Sequence, residues 1–257
     1  MHACARGRGH RRDGSPCEDR AGDAQHGDIT VIALADGCGS SRVGGLAARV
    51  AVEAVLAEEH LRVDDVSLEA LARRLLQAAY EAVRDLARDL EVGTSDSSTT
   101  MMVALARGTD VVIAHVGDGV ILGRAGDAWR VLSAPMNGEH ANETHVLSSP
   151  RFMATARIER FEDVTACVLL TDGAASALWE RATGRVASAL DKLCGALETR
   201  PRVEVERWLR DELMPRLTTQ TLDDCGLAFV RFEMAPEAHP EGPVTEKLSP
   251  LITGDVA

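Results

Sequence analysis

Aspartates recur in this chain at the borders of apolar segments, where a strand could hold a reactive carboxylate on a rigid support. The segments 29–34 and 165–170 are apolar and rich in β-branched residues. One residue separates each segment from an Asp-Gly pair. Taken singly, each aspartate is as consistent with a turn or cap as with a site. Their shared position favours one common site. The members are Asp36, Asp118, Asp172 and the pair Asp223-Asp224.

Carboxylates brought together by a fold repel one another, and they require protons or cations to be stable. Mg²⁺ and Mn²⁺ suit this role because they bind carboxylates, backbone carbonyls and waters. Two such ions about 3.5–4 Å apart can lower the pKa of a bridging water and clamp a phosphoryl group. The pattern therefore indicates hydrolysis of a phosphate ester without a covalent enzyme intermediate.

The composition is that of an ordinary globular protein with an acidic surface. The chain has 257 residues, of which 45% are hydrophobic and 26% charged, and its net charge is -12. Aromatic residues make up only 3%, so we expect a core of Ala, Val and Leu. The negative charge disfavours nucleic acids and anionic membrane surfaces as partners.

The cysteines and the apolar runs bear on the cellular compartment. Six cysteines are scattered through the sequence without a Cys-x-x-Cys pair, so we predict neither a disulfide framework nor a zinc site. There is no secretory apolar region near residue 1 and no run long enough to span a bilayer. These features predict a cytoplasmic protein, and we expect it to be a monomer.

The periodicity predicts two amphipathic helices followed by an antiparallel meander. Ser67 is a suitable N-cap for the second helix, and the glycine-containing breaks between the next four segments are typical of hairpins. Further apolar segments predict more strands and helices toward the C-terminus. We predict helices at 45–60, 68–91, 182–198 and 203–214, and strands at 29–34, 101–106, 110–116, 119–124, 128–132, 152–161, 165–170 and 227–232.

Three segments lack a clear pattern. The basic residues 1–14 are as consistent with a frayed terminus as with an anion-binding edge. The polar segment 133–150 is long for a loop inside a domain, so we expect it to border a functional cleft. Deleting 137–144 should then alter substrate affinity more than metal binding. Residues 233–257 hold four of the nine prolines, and we predict a disordered tail.

The ordered set of motifs resembles the metal-dependent serine/threonine protein phosphatases of type 2C, particularly a bacterial branch. The resemblance covers roughly residues 7–232. One Asp-Gly pair is weak support, whereas this order and spacing are specific. The matching segments are Gly9-His10, Pro16-Cys17-Glu18-Asp19, Leu34-Ala35-Asp36-Gly37-Cys38-Gly39, Ser98-Thr99-Thr100, Ala114-His115-Val116-Gly117-Asp118-Gly119, the run 137–144, Leu169-Leu170-Thr171-Asp172-Gly173 and Asp223-Asp224.

The resemblance implies an α+β fold, a four-layer α-β-β-α sandwich of two antiparallel sheets flanked by helices, spanning a domain at 1–232. It also implies two Mn²⁺ or Mg²⁺ ions at one end of the sandwich, with a weaker third ion in some members. The implied activity is hydrolysis of phosphoserine and phosphothreonine in proteins, with substrates phosphorylated by a serine/threonine kinase.

The same resemblance assigns roles to individual residues. Asp36 would bridge the two ions and Gly37 would offer its carbonyl oxygen. Asp172 and Asp223 would hold the first ion, so Asp36, Asp172 and Asp223 are the expected catalytic residues. Three further residues complete the predicted metal site. Glu18 would hold waters of the second ion, and its neighbour Asp19 is predicted to belong to the site as well. Asp118 would help to bind the weaker ion.

The sequence departs from the family pattern at two places. The spacing of the usual phosphate-binding arginine falls on Gly14, so the candidates for that role are the upstream Arg8, His10 and Arg12. Asp224 stands where asparagine is common, followed two residues later by Gly226 where threonine or serine is usual. The choice between Asp223 and Asp224 as ligand therefore stays open.

Two other functions remain as alternatives. A phosphatase-like module that is catalytically silent could bind a phosphoprotein partner, which the missing arginine would suit. A phosphatase that forms an aspartyl-phosphate would need an Asp-x-Asp motif at a strand end, whereas Asp36 is followed by Gly37 and Cys38. We therefore rank the covalent mechanism lowest.

Overall fold

A computed structural model describes residues 1–61, 66–136 and 145–232 of the chain. The predicted tail at 233–257 and the segment 137–144 lie outside the described residues. Within those ranges, none of the helices is long and apolar enough to cross a lipid bilayer.

The described chain contains twelve strands. In chain order they are β1 (His2–Ala5), β2 (Arg20–His26), β3 (Ile29–Ala35), β4 (Met101–Arg107), β5 (Asp110–Val116), β6 (Val120–Ala125), β7 (Ala128–Ser133), β8 (Arg157–Phe161), β9 (Ala166–Leu170), β10 (Trp179–Glu180), β11 (Arg185–Val186) and β12 (Cys225–Arg231).

Helices connect these strands. They are α1 (Arg8–Asp13), α2 (Gly44–Leu56), α3 (Glu58–Leu61), α4 (Leu68–Asp89), α5 (Phe152–Thr155), α6 (Asp172–Leu178), α7 (Ser188–Thr199), α8 (Arg202–Trp208) and α9 (Met214–Leu217), with a 3₁₀ turn at Thr94–Ser97 and a π-helical turn at Leu209–Leu213. The predicted cap of α4 is present, since Ser67 Oγ accepts the Ala70 N–H at 3.2 Å.

Two five-stranded antiparallel sheets form the centre of the fold. The first, which we call sheet A, has the order β1-β12-β9-β6-β7, and the second, sheet B, has the order β2-β3-β4-β5-β8. A separate two-stranded hairpin pairs β10 with β11. All pairings are antiparallel, as the meander pattern predicts.

Three apolar clusters hold the layers together. Between the sheets, buried side chains from both inner faces meet, including Ile32, Ile113 and Leu169. On the outer face of sheet B, α2 and α4 pack through residues such as Ala51 and Leu75. The outer face of sheet A is covered by α6, α7, α8 and the turns that follow. This arrangement is the four-layer α-β-β-α sandwich, so the predicted fold class is confirmed.

The structure corrects several local predictions. The segment 152–161 is not one strand, because the helical turn α5 occupies its first four residues and β8 only its last five. Residues 1–14 are not frayed, since β1 pairs with β12 at the edge of sheet A and α1 follows it. The predicted helix 203–214 is interrupted by the π-helical turn. Strand β2, which has no apolar run, was not predicted.

Candidate metal centre

One cleft collects the acidic residues that the sequence analysis identified, apart from Asp19. Its volume is about 490 Å³, within the usual range for small-molecule sites. The residues that line it are His10, Glu18, Asp36, Gly37, Cys38, Gly39, Ser40, Ser98, Thr100, Asp118, Val146, Asp172, Asp223 and Asp224. The expected catalytic residues Asp36, Asp172 and Asp223 are thus brought together.

Antiparallel pairing explains why distant acids meet at this end of the sandwich. In sheet B, the register pairs Arg20 at the start of β2 with Ala35 at the end of β3, so the residues flanking them share one edge. In sheet A, Leu170 at the end of β9 pairs with Val120 and Leu227, near the starts of β6 and β12. Each acid therefore lies just beyond a strand end on the same side.

Asp36 is held by the threonine pair that precedes β4. The Asp36 N–H donates to Thr100 Oγ1 at 2.9 Å, and the Asp36 carbonyl accepts from Thr99 Oγ1 at 2.9 Å. The next residue, Gly37, forms an isolated bridge with Thr99. A Cβ atom on Gly37 would overlap the backbone of Gly44. The glycine is therefore required by close packing of the turn against the start of α2.

Asp172 lies at the start of α6, directly after the buried strand β9. Its Oδ1 accepts the Gly173 N–H at 2.6 Å, a position where the helix dipole favours negative charge. A Cβ atom on Gly173 would overlap the carbonyl of Asp224. This contact places the start of α6 against the acidic pair that precedes β12.

The two neighbouring acids before β12 have different environments. Asp224 is 2% exposed, and its oxygens accept the N–H groups of Gly7 and Glu18, each at 2.6 Å. His10 Nδ1 lies 2.9 Å from Asp224 Oδ2. Asp223 accepts a single bond in this set, from the Asp224 N–H at 2.9 Å. Asp224 therefore holds the N-terminal segment on the sheet, whereas the carboxylate of Asp223 lines the cleft with fewer hydrogen bonds in the described structure.

Burial and mutual repulsion raise the pKa values of the cleft carboxyls. Burial is the first cause for Asp36, whose pKa lies well above its usual value, and the charges of Asp19, Asp172, Asp223 and Asp118 add to it. Burial, followed by the charges of Asp223 and Asp118, raises the pKa of Asp172 to about 6. Such carboxyls are stabilised in their charged form by a nearby cation.

The donor set fits divalent cations of the Mg²⁺ or Mn²⁺ kind. Six carboxylate residues and Gly37 line the cleft, and the buried oxygen Oε2 of Glu18 has no hydrogen-bond partner in the described structure. Within the described ranges, no three His, Cys, Asp or Glu side chains are already grouped around one ion position. That is compatible with Mg²⁺, which usually takes one or two carboxylates and several waters.

Asp19, a predicted metal ligand, lies behind the cleft and is not among the residues that line it. It is 1% exposed, and its Oδ2 accepts from Thr171 Oγ1 at 2.9 Å. Burial raises its pKa well above the usual value, with further contributions from Asp224 and Asp172. The departure at Gly226 has its reason here, since a Cβ atom there would lie 2.9 Å from Asp19 Oδ2.

Of the three candidates for phosphate binding, only His10 lines the cleft. The Arg8 Nε–H donates to the Thr221 carbonyl at 3.0 Å on the exposed side of α1. Arg12 forms an ion pair with its neighbour Asp13 at 2.9 Å, and both side chains are largely exposed. In the described part of the cleft wall, no arginine or lysine is present.

The cleft wall also contains residues to which the sequence analysis gave no role. Cys38 lines it, and burial followed by the charges of Asp36 and Asp118 raises the pKa of its thiol to about 12. The thiol is thus protonated at neutral pH. The position after Asp-Gly was the only signal that could have identified Cys38. Val146, which follows the segment 137–144, lines the same wall.

Comparison with known proteins agrees with this geometry. A family profile described as Protein phosphatase 2C matches residues 6–214. A curated relative, serine/threonine-protein phosphatase 3 of Escherichia coli strain K12, is 26% identical over 171 residues, which cover 63% of this chain and 66% of the relative. The match thus spans just under two thirds of that relative's length.

Solved structures share the fold at lower identity. A bacterial serine phosphatase superposes with a TM-score of 0.64 at 14% identity, covering 92% of this chain and 98% of the other. A serine/threonine phosphatase from Staphylococcus aureus gives a TM-score of 0.65 at 15% identity, covering 91% and 94%. At these identities the likeness concerns the fold.

These findings confirm the predicted family and fold. The family consists of protein phosphatases, which are hydrolases, and this is the enzyme class that the sequence analysis predicts. Because the matched region is well over half of the sequence, the chain belongs to the protein phosphatase 2C family.

Proposed function

We propose that this protein hydrolyses phosphoserine and phosphothreonine in protein substrates, with two Mn²⁺ or Mg²⁺ ions bound in the acidic cleft. The observation that carries the proposal is the convergence of Asp36, Asp172 and Asp223 from two different sheets on one cleft. Family membership supports it. A weaker third ion near Asp118 belongs to the same proposal.

Charge explains why the cleft needs cations to accept this substrate. A phosphoryl group carries about two negative charges near neutral pH, and the cleft wall, as far as the structure describes it, offers carboxylates without arginine or lysine. Divalent ions bound there would neutralise the phosphoryl group and lower the pKa of a bound water toward neutrality. Asp36, Asp172, Asp223 and the Gly37 carbonyl are the groups that would hold them.

The residues of the chain supply the positioning. Thr99 and Thr100 fix the backbone of Asp36, and the Gly173 N–H fixes Oδ1 of Asp172. Because these contacts exist in the folded chain before any substrate arrives, the ligand oxygens require little reorganisation on binding. The raised pKa of the partly buried Cys38 thiol makes it unsuited to act as a nucleophile, which agrees with attack by water.

A direct assay tests the proposal. Purified protein with Mn²⁺ should release phosphate from a phosphothreonine peptide, and a chelator should abolish the release until Mn²⁺ is restored. Turnover that persists after complete chelation would contradict the proposal. A trapped covalent phosphoenzyme would instead support the aspartyl-phosphate mechanism.

A second candidate, a silent module that binds a phosphoprotein, is favoured by one observation: the described cleft wall holds no arginine. Calorimetry that detects binding of the phosphothreonine peptide, combined with no turnover under Mn²⁺ or Mg²⁺, would favour it. Measured turnover would exclude it.

A further inference from the structure

One side chain in the cleft is arranged like a metal-binding imidazole rather than like a phosphate ligand. His10 lies on α1, a segment that the acidic motifs do not include, and its side chain is 24% exposed. Its two ring nitrogens face two different carboxylates: Nδ1 lies 2.9 Å from Asp224 Oδ2, and Nε2 lies 4.0 Å from Glu18 Oε2.

The surroundings of Asp224 determine which ring nitrogen carries the proton. Both oxygens of Asp224 already accept backbone N–H groups, from Gly7 and Glu18. Because both oxygens already serve as acceptors, the ring nitrogen that faces Asp224 is the one expected to donate. We therefore assign the proton of neutral His10 to Nδ1, which donates to Asp224, and this leaves the lone pair of Nε2 directed toward Glu18.

Glu18 provides a second lone pair at the same place. Its Oε2 is buried and has no hydrogen-bond partner in the described structure. The two atoms are 4.0 Å apart, too far for a direct hydrogen bond, and a cation between them would satisfy both lone pairs. Two donor atoms each about 2.1 Å from one ion can be at most about 4.2 Å apart, so the observed separation allows a shared ion.

We propose that Nε2 of His10 is a direct ligand of one divalent ion in the cleft, with Glu18 Oε2 beside it and waters completing the coordination. Asp224 is then the positioning residue, because a carboxylate on the far nitrogen fixes the tautomer and orientation of a metal-bound imidazole. The inference rests on the proposed function only in requiring that the cleft binds divalent ions.

An imidazole ligand changes which metal the site prefers. Mg²⁺ is bound through oxygen, whereas imidazole nitrogen suits transition metals and its affinity rises from Mn²⁺ toward Cu²⁺. We therefore expect this cleft to bind Mn²⁺ and Co²⁺ more tightly than Mg²⁺. Replacing His10 should reduce that preference, with little effect on the affinity for Mg²⁺.

Pulsed electron paramagnetic resonance of the Mn²⁺-loaded protein tests the proposal. The wild-type protein should show the coupling of Mn²⁺ to an imidazole ¹⁴N nucleus. His10→Asn should abolish it, because an asparagine amide can still donate to Asp224 but offers no Nε2. In calorimetry the same variant should bind Mn²⁺ at least about 10–100-fold more weakly, because loss of an outer-shell partner alone already costs that much.

A matched control is available elsewhere on the chain. His60 Nε2 lies 3.7 Å from Glu59 Oε1 on α3, remote from the cleft wall, so it reproduces the histidine–glutamate pair on an exposed surface. His60→Asn should leave both the ¹⁴N coupling and the Mn²⁺ affinity unchanged.

The opposite results would overturn the proposal. These are Mn²⁺ bound to the wild type without ¹⁴N coupling, coupling that persists in His10→Asn, or no Mn²⁺ binding at all. A raised KM with unchanged Mn²⁺ affinity would show instead that His10 contacts the phosphate. Turnover measured on the same samples separates the two proposals, since an active enzyme without ¹⁴N coupling refutes only the role of His10.

Discussion

The Asp-Gly dipeptide occurs just beyond the ends of β3 and β9, one copy in each sheet, and the two copies are held in different ways. After β3 the chain turns, and Gly37 packs against the backbone of Gly44 at the start of α2. After β9 it enters α6 directly, and Gly173 packs against the Asp224 carbonyl. The same dipeptide therefore packs against the start of a helix in the first case. In the second case it packs against Asp224, the residue that holds the N-terminal segment.

The difference teaches that the site is assembled from two independently supported halves. Asp36 depends on Thr99 and Thr100 of sheet B, whereas Asp172 depends on the packing of α6 and the segment before β12 in sheet A. The apolar cluster between the sheets holds the halves in register. Each half can be perturbed separately.

Removing a carboxylate from either half should have the largest effect. Asp36→Asn and Asp172→Asn should each lower kcat/KM for a phosphothreonine peptide by on the order of 10³-fold. The reason is that both carboxylates are needed to hold the ions that activate water. Asp127→Asn, in the exposed turn between β6 and β7, is the control and should be unchanged. Equal activity of Asp36→Asn and wild type would refute the role of Asp36.

The two glycines should differ in what their replacement disturbs. Gly37→Ala and Gly173→Ala should each reduce the free energy of unfolding by about 3 kcal/mol, because a methyl group has to displace backbone. Only Gly173→Ala should also loosen Asp224 and the N-terminal segment, which amide exchange at Gly7 and Glu18 would detect. Gly195→Ala, where nothing lies within 4 Å, should be neutral or slightly stabilising.

The raised pKa of Asp172, about 6, predicts how pH affects the metal-free and metal-loaded protein. The folded state holds this proton more tightly than the unfolded chain does. The group therefore stabilises the fold fully below its ordinary pKa of 3.8, and that contribution is lost as the pH rises through 6. Bound Mn²⁺ competes with the proton, so its stabilisation should be greater at pH 7 than at pH 5.

Thermal unfolding with and without Mn²⁺ measures this difference. We expect the Mn²⁺ affinity to fall about ten-fold at pH 5, equivalent to about 1.4 kcal/mol. Asp172→Asn should reduce the pH dependence, and the remainder should come from Asp36, whose pKa is also raised by burial. An equal Mn²⁺ stabilisation at both pH values in the wild type would show that Asp172 does not bind the ion.

Among the variants that change the free energy of unfolding, those at the threonines beside the two acids should give the smallest effects. Thr100→Val leaves the Asp36 N–H without its acceptor and should cost about 1 kcal/mol. Thr171→Val should cost about 2 kcal/mol, because it removes the donor to buried Asp19 and the acceptor of the Gly226 N–H. Chemical denaturation measures both, with exposed Thr183→Val as control. A reversed order would contradict the assigned hydrogen bonds.

The sequence predicted what depends on local pattern. Strands such as β5 (Asp110–Val116) and helices such as α4 (Leu68–Asp89) have clear apolar periodicities, and their bounds agree within two residues. The acids at strand ends were found because Asp-Gly recurs there. Phe152–Thr155 was assigned to a strand because four residues are too few to show a helical period.

What the sequence could not predict depends on contacts between distant segments. Asp223 and Asp224 are adjacent and identical in type, and only their hydrogen-bond partners distinguish them. Asp19 follows Glu18 in the same motif just before β2, yet Asp19 is buried and Glu18 lines the cleft. The position of His10 depends on the anchoring of α1 by Asp224.

Anomalous diffraction from crystals soaked in Mn²⁺ tests the central claim most directly, because it locates the ions without relying on turnover. Our account predicts two strong peaks in the cleft, about 3.5–4 Å apart, with Asp36 between them and Asp172 and Asp223 beside one. Crystals in which Mn²⁺ binds elsewhere, or in which the cleft shows no peak, would contradict it.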